Sequence, residues 1–208
     1  MIYKNPELKN KTALVVGCGG LGGYVIEELS RAGIGELILL DGDSFSQSNM
    51  NRQLLADFDT LGKMKAEVYA KRLKKTSVAN VKFFNQFLTK DNANLIEETD
   101  IVLDCVDNLS TREFMSIECK KRGKILVSAA VEGEQGQALI CFPEEDSFER
   151  LFSKAVETPH DTISYAVATV ASIQSALAIK AMCGIAEEFR NKIVLIDLES
   201  MMVKILEL

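Results

Sequence analysis

The chain has 208 residues, of which 47% are hydrophobic, and it carries a formal net charge of −6 at pH 7. This composition supplies enough apolar mass for a compact core and excludes an intrinsically disordered chain, and the negative charge argues against nucleic acid as the main partner. We find no charged-then-apolar leader and no unbroken apolar span, which predicts a cytoplasmic protein without a membrane partner.

A glycine-rich turn joins the first predicted strand, Thr12–Val16, to a helix predicted from about Leu21 to Ala32. The turn, Gly17-Cys18-Gly19-Gly20-Leu21-Gly22, would let backbone N–H groups and the helix N-terminus approach a phosphate. Asp41 closes the next predicted strand, Glu36–Leu40, about twenty residues further on, where a carboxylate meets a ribose hydroxyl. The pattern predicts a nucleotide phosphate site; the alternative is a simple tight turn.

Strands and helices continue to alternate after a polar loop over residues 42–61. The predicted elements are a helix at about Lys63–Lys75, a strand at Val81–Phe84, a short helix near Asn92–Glu97, a strand at Ile101–Leu103, a helix at Thr111–Arg122 and a strand at Ile125–Ala129. Such alternation is typical of a mostly parallel sheet covered on both faces. We therefore predict an α/β fold of the Rossmann-like, doubly wound type.

The character of the sequence changes from Gly136 onward. We predict a strand at Ala138–Phe142, a polar crossing segment at Glu144–Asp161, a long helix at Ser164–Cys183 and two antiparallel strands at Ile193–Asp197 and Met202–Leu206. No linker or repeat divides the chain. We expect a single domain over residues 1–208, with a nucleotide-binding half at about 11–130 and a sheet extension at about 131–208.

Polar residues follow two of the predicted strands, Glu36–Leu40 and Ile101–Leu103. Arg52 could hold phosphate oxygens bidentately, Lys65 could add a point charge, and Asp107 could hold Mg²⁺ between phosphates. Because a dinucleotide needs no second phosphate clamp, these three residues favour a triphosphate over a solvated, salt-bridged loop. The residues predicted to bind the nucleotide are Gly17, Gly19, Gly20, Gly22, Asp41, Asp43, Ser48, Asn49, Asn51, Arg52, Gln53, Lys65, Asp107 and Asn108.

Five linked motifs resemble the ThiF/MoeB/HesA family of the ubiquitin-activating-enzyme superfamily. They are the glycine turn, Asp41-Gly42-Asp43, Ser48-Asn49-Met50-Asn51-Arg52-Gln53, Gly62-Lys63-Met64-Lys65, and Asp104-Cys105-Val106-Asp107-Asn108 with Arg112. The resemblance runs from about Lys11 to the C-terminus. It implies a homodimeric adenylyltransferase, or one half of such a pair, that binds ATP with Mg²⁺. AMP would pass to the C-terminal glycine of a small ubiquitin-like sulfur carrier ending in Gly-Gly, in thiamin- or molybdopterin-type cofactor biosynthesis.

The resemblance also implies a role for each matching residue. Arg52, Lys65 and Asp107 would be catalytic, and Asp107 would coordinate Mg²⁺ with Asn108 beside it. Gly20 would lie under the phosphates and Asp41 would bind the ribose, while Asn49 would contact phosphate together with Arg52.

Three departures from the family pattern qualify this expectation. The arginine that members often carry ahead of the first strand is absent from Met1–Pro6, where Lys4 is the nearest substitute. The first of the two zinc CxxC pairs would fall near Ser147 and Arg150, so we predict no zinc. Lys154–Asp161, where relatives place a reactive cysteine, has no thiol, which favours activation with sulfur delivered by another protein.

Other interpretations remain open from the sequence. A nicotinamide-dependent oxidoreductase would use the glycine turn and Asp41 but would leave Arg52, Lys65 and Asp107 without a role. A non-catalytic or partner-dependent binding module of the same fold is a second alternative. Within the leading class, the acceptor could instead be a peptide or a tRNA base. Cys18 is interpreted as a small residue that fits its turn; the alternative is a thiol with a pKa lowered by the helix N-terminus.

Overall fold

The computed structural model describes residues 7–152 and 162–208. The sheet has eight strands in the spatial order β3-β2-β1-β4-β5-β6-β7-β8. The strands are β1 (Thr12–Val16), β2 (Glu36–Leu40), β3 (Asn80–Phe84), β4 (Ile101–Asp104), β5 (Ile125–Glu132), β6 (Gln135–Cys141), β7 (Lys192–Asp197) and β8 (Met202–Glu207). The predicted Rossmann-like fold class is confirmed.

The first five strands are parallel and the last three are antiparallel. β1 pairs in parallel with β2 on one side and with β4 on the other, with Val16 opposite both Leu40 and Asp104. Strands buried on both faces need continuous apolar runs, and β1, β2 and β4 have them. The strand order therefore reverses at β1, which places its carboxyl end at a topological switch point.

Helices cover both faces of the sheet. They are α1 (Gly20–Ala32), α2 (Lys65–Thr76), α3 (Leu109–Lys121), α4 (Ser147–Phe152) and α5 (Ser164–Met182). One core contains side chains from α1, α2 and α5, and the other contains side chains from α3 and α4. Alternate residues of each central strand enter opposite cores, for example Ala13 and Leu14 of β1.

The main differences from the sequence prediction lie in the β5–β6 hairpin, where β6 begins at Gln135 and not at Ala138, and in the crossing segment. β5 continues past Ala129 to Glu132 and forms a tight hairpin with β6 through Gly133, whose φ of 58° favours glycine. The predicted polar crossing segment contains α4, because Phe148 and Phe152, four residues apart, are buried with their rings 4.5 Å apart. The rest of that segment, residues 153–161, lies outside the described residues, as does the predicted departure at residues 1–6.

The long helix α5 is apolar and long enough to cross a membrane by length and composition alone. In this fold it packs against α1, β5 and β6, and 56% of its most apolar window is buried. Val167, Val170 and Ala171 are at most 1% exposed. These contacts are those of a core helix, which explains the apolar composition without a membrane.

Candidate nucleotide-binding site

A cleft of about 510 Å³ opens at the carboxyl ends of β1, β2 and β4. Its walls combine the glycine turn after β1, the loop after β2 and the segment that follows β4. Open α/β sheets bind ligands at this position because the loops on either side of the switch point diverge. Ten of the fourteen residues predicted to bind the nucleotide therefore line one cleft at the carboxyl ends of the strands.

The glycine turn is held tightly against the end of β4. Gly17 has a φ of 89°, and a Cβ there would lie 2.6 Å from the carbonyl oxygen of Cys105. A Cβ on Gly22 would lie 1.8 Å from the carbonyl oxygen of Gly17. Gly17, Gly19 and Gly20 line the cleft, whereas Gly22 faces the turn and serves its packing. No side chain caps the N-terminus of α1, so its first N–H groups are available to an anion.

Asp41 connects two walls of the cleft. One carboxylate oxygen accepts a hydrogen bond from the Cys18 N–H at 2.6 Å, and the other accepts one from the Asp43 N–H at 2.7 Å. Burial raises the pKa of Asp41, and the two backbone hydrogen bonds oppose that rise. Because each carboxylate oxygen has a second lone pair, Asp41 can still accept a hydrogen bond from a ribose hydroxyl.

Two cations lie in the wall formed by the loop after β2. The Lys65 ammonium is buried and pairs with Asp43 at 3.2 Å. The Arg52 guanidinium donates to the Ser48 carbonyl and to Asn51 Oδ1, both at 2.9 Å, and has no carboxylate partner among residues 7–152 and 162–208. An arginine that is oriented by neutral acceptors but not neutralised is suited to an anionic ligand.

Gln53 follows Arg52 and also lines the cleft. It is 8% exposed, and its buried Oε1 atom has no hydrogen-bond partner in the described part of the chain. A Cβ on Gly19 would approach its amide nitrogen to 3.3 Å. A buried acceptor without a partner carries a desolvation cost, so a donor group of a bound ligand would stabilise it.

Three predicted residues of the same loop do not line the cleft. Asn49 is 9% exposed, and its Oδ1 accepts the Ser46 N–H at 3.0 Å in a capping box. The Ser48 hydroxyl contacts that of Ser46 at 2.9 Å, and Asn51 donates to the Thr162 carbonyl at 3.3 Å. Their observed contacts fold the loop that carries Arg52; direct nucleotide contacts from them stay a prediction.

Asp107 stands opposite these cations, after β4. It is exposed, and no described residue hydrogen-bonds or pairs with its carboxylate. Asn108 lines the cleft and caps α3, with its Oδ1 accepting the Thr111 N–H at 2.9 Å. Residues 7–152 and 162–208 hold no cluster of three or more metal-ligating side chains. A single carboxylate fits Mg²⁺, which takes its other ligands from phosphate and water.

Residues 4–208 match the ThiF family. The chain belongs to the ThiF family. It is 32% identical over 203 residues to "Adenylyltransferase and sulfurtransferase MOCS3" of Xenopus laevis, covering 92% of this chain and 45% of that protein. It is also 32% identical over 200 residues to the molybdopterin-synthase adenylyltransferase of Escherichia coli (91% and 80% covered).

Not every ThiF-family relative carries an adenylyltransferase name. The tRNA threonylcarbamoyladenosine dehydratase of Haemophilus influenzae is 38% identical over 134 residues, which cover 63% of this chain and 51% of that protein. The solved structure of Escherichia coli MccB with ATP superposes with a TM-score of 0.79 at 23% identity, covering 97% of this chain and 64% of that one. At this identity the superposition shows the shared fold. The chain spans about half the length of several relatives that it matches.

Sequence reasoning missed a buried polar network beneath this ThiF-family cleft. Asp104, the last residue of β4, accepts hydrogen bonds from Arg112 at 2.9 Å and from the Ser128 hydroxyl at 2.6 Å. Gln174 of α5 is fully buried and donates to the carbonyls of Asp104 and Val127 at 2.8 and 2.9 Å. The available signals were a carboxylate ending an apolar strand and a single glutamine within an apolar helix.

Phe87 is a second residue that sequence reasoning missed. Its ring is 63% exposed, lines the cleft and lies within 2.8 Å of where a Cβ on Gly42 would be.

Cys18 gives no sign of reactivity, because burial raises the pKa of its thiol well above the usual value. The alternative of a pKa lowered by the helix N-terminus is therefore wrong.

Proposed function

We propose that this chain is an adenylyltransferase that binds ATP in the cleft and transfers AMP to a carboxylate. The observation that carries the proposal is the arrangement of charge. Arg52, without a carboxylate partner in the described chain, lies with Lys65 in one wall, the uncapped N-terminus of α1 forms the floor, and Asp107 projects from the other side. A triphosphate presents enough negative charge to use the two cations and the helix N-terminus, and Mg²⁺ would join it to Asp107.

The reaction places two anions next to each other. A carboxylate oxygen attacks the α-phosphorus, a new P–O bond forms, and the bond to the bridging oxygen breaks as pyrophosphate leaves. Arg52 and Lys65 would neutralise the phosphate oxygens, and the α1 N–H groups would hold the chain of phosphates in place. Asp107 would hold Mg²⁺, which when bound supplies further neutralisation of the phosphate charge.

A second hollow suggests where the acceptor approaches. It measures about 430 Å³, lies on the antiparallel part of the sheet and shares Ala130, Val131 and Glu132 with the nucleotide cleft. An extended chain lying along β6 to β8 would reach the cleft with its terminal carboxylate. We propose that the acceptor is a ubiquitin-like sulfur carrier ending in Gly-Gly, in thiamin- or molybdopterin-type biosynthesis, and that the enzyme is a cytoplasmic homodimer without zinc.

The two relatives described above whose names include adenylyltransferase support this proposal, and the dehydratase relative supports a different acceptor, a tRNA base. The whole-chain charge of −6 favours the carrier over tRNA. A non-catalytic module would have no need of a cleft-lining Arg52 that lacks a carboxylate partner in the described part of the chain. A nicotinamide oxidoreductase would leave Arg52 and Lys65 without a role.

The deciding experiment is calorimetric titration of the protein with ATP plus Mg²⁺ and, separately, with NAD⁺ and NADH. We expect saturable binding of ATP only. Exchange of labelled pyrophosphate into ATP is then measured with a panel of Gly-Gly-terminated carriers, with tRNA as a competing acceptor. Binding of NAD⁺ alone would indicate an oxidoreductase, and binding of neither nucleotide would indicate a protein-binding module.

A further inference from the structure

Lys65 carries a positive charge in an unfavourable place. It is the first residue of α2, where the helix dipole disfavours a cation, and its side chain is 8% exposed. Glu67, the acidic residue of the same turn, pairs instead with Lys71 at 2.6 Å. Burying an ammonium without a partner is costly, so the position of Lys65 depends on what neutralises it.

Asp43 is the only ion-pair partner of Lys65 within residues 7–152 and 162–208. Its Oδ2 lies 3.2 Å from the Lys65 Nζ, and its own side chain is 58% exposed at the cleft wall. The carboxylate is exposed, but its position is restricted, because hydrogen bonds fix the backbone of Asp43 at both its N–H and its carbonyl group. Its N–H donates to Asp41, and its carbonyl accepts the Lys65 N–H at 3.0 Å.

A neighbouring bridge makes this arrangement more rigid. Ser44 and Met64, adjacent to the two paired residues, form an isolated antiparallel β-bridge. The Asp43–Lys65 ion pair therefore closes a two-stranded contact between the loop after β2 and the start of α2. The contact aims the ammonium from the wall into a cleft that also contains the carboxylates of Asp41 and Asp107.

We infer that Asp43 is a positioning residue that acts through Lys65, holding its ammonium where the phosphates of the bound nucleotide will lie. The inference rests on the proposed function. Without Asp43, the ammonium would be drawn towards Asp41, another carboxylate of the cleft on which Lys65 acts electrostatically, and it would leave the phosphate position. Asp43 itself, being an anion, gains nothing from direct contact with a triphosphate, so its value to the reaction lies in the lysine.

The test compares Asp43→Asn and Asp43→Glu with Asp59→Asn, an exposed carboxylate of the same loop that does not line the cleft. We measure Kd for ATP by calorimetry, kcat for pyrophosphate exchange, the Tm, and the ¹⁵N signal of the Lys65 side-chain ammonium, identified through Lys65→Arg. Asp43→Asn is expected to lower kcat by about 10- to 100-fold while Kd changes by less than about threefold. The ammonium signal should shift or disappear in the nucleotide-free protein.

The two controls separate positioning from a structural role. Asp43→Glu keeps the charge and should recover part of kcat and the ammonium signal, and Asp59→Asn should match the parent protein in every measurement. Three results for Asp43→Asn would each overturn the inference while leaving the proposed function standing. They are an unchanged kcat, an unchanged ammonium signal, and a loss confined to Tm. Absence of ATP binding by the parent protein would overturn the proposed function, and the inference with it.

Discussion

The Arg112 guanidinium lies 2.9 Å from the Asp104 carboxylate, and both side chains are almost completely buried under the nucleotide cleft. The same guanidinium donates to the carbonyls of Ala129 and Val106, at 2.8 and 2.5 Å. Arg112 therefore ties the ends of β4 and β5 to the start of α3. The segment that carries Asp107 leaves β4 at these contacts, so the direction of that segment depends on Arg112.

Arg112→Ala should destabilise the protein strongly. The substitution leaves Asp104, which is 0% exposed, without its charged partner, and removing one member of a buried pair costs about 3–5 kcal/mol. Urea unfolding measures the loss. Lys120→Ala breaks an exposed pair with Glu149 (3.4 Å) and should cost less than about 1 kcal/mol. Equal losses in the two variants would show that the buried network is no more important than a surface pair.

Asp107→Ala should abolish Mg²⁺-dependent AMP transfer and leave the fold intact. The carboxylate is exposed and has no partner in the described chain, so its removal breaks no structural contact. Pyrophosphate exchange is measured against Mg²⁺ concentration, with a thermal melt as the test of folding. Asp91→Ala, another exposed carboxylate outside the cleft, is the matched control and should be fully active. An active Asp107→Ala enzyme would exclude Asp107 as the metal ligand.

Arg52→Lys should lower kcat/KM by about 100-fold, since a lysine keeps the charge but cannot form two parallel hydrogen bonds to phosphate oxygens. Steady-state kinetics of pyrophosphate exchange measure the change. Lys63→Ala removes an exposed cation that does not line the cleft and should leave turnover unchanged. Near-parental turnover of Arg52→Lys would show that bidentate contact with phosphate is unnecessary.

The thiols should differ sharply in their reaction with iodoacetamide. Burial raises the pKa of Cys18, Cys105 and Cys141, and raises that of Cys119 to about 12. These four thiols therefore stay protonated at pH 8, below their pKa values, and only Cys183 is partly exposed. Mass spectrometry after brief labelling should find the modification at Cys183, and at all five cysteines in denaturant. Rapid labelling of Cys18 in the native protein would contradict its buried, unreactive state.

Local patterns in the sequence predicted most of the fold. The ends of β1 and β2 were predicted correctly, because apolar runs bounded by glycine, polar and charged residues specify a buried strand without reference to its neighbours. The glycine turn, Asp41, Arg52, Lys65 and Asp107 were also predicted to meet, since parallel strands place their carboxyl ends at one edge.

Only the tertiary structure decided which polar residues face the cleft and which support it. Asn49 and Gln53 belong to one motif, yet the first caps a turn and the second points a buried acceptor into the cleft wall. Gln174 contacts the end of β4 from a position 70 residues away. The sequence by itself determined where the strands and helices lie and which chemical groups the site contains, because local patterns of residues specify both. The partners of buried polar groups depend on which distant segments pack together, and no local pattern contains that information.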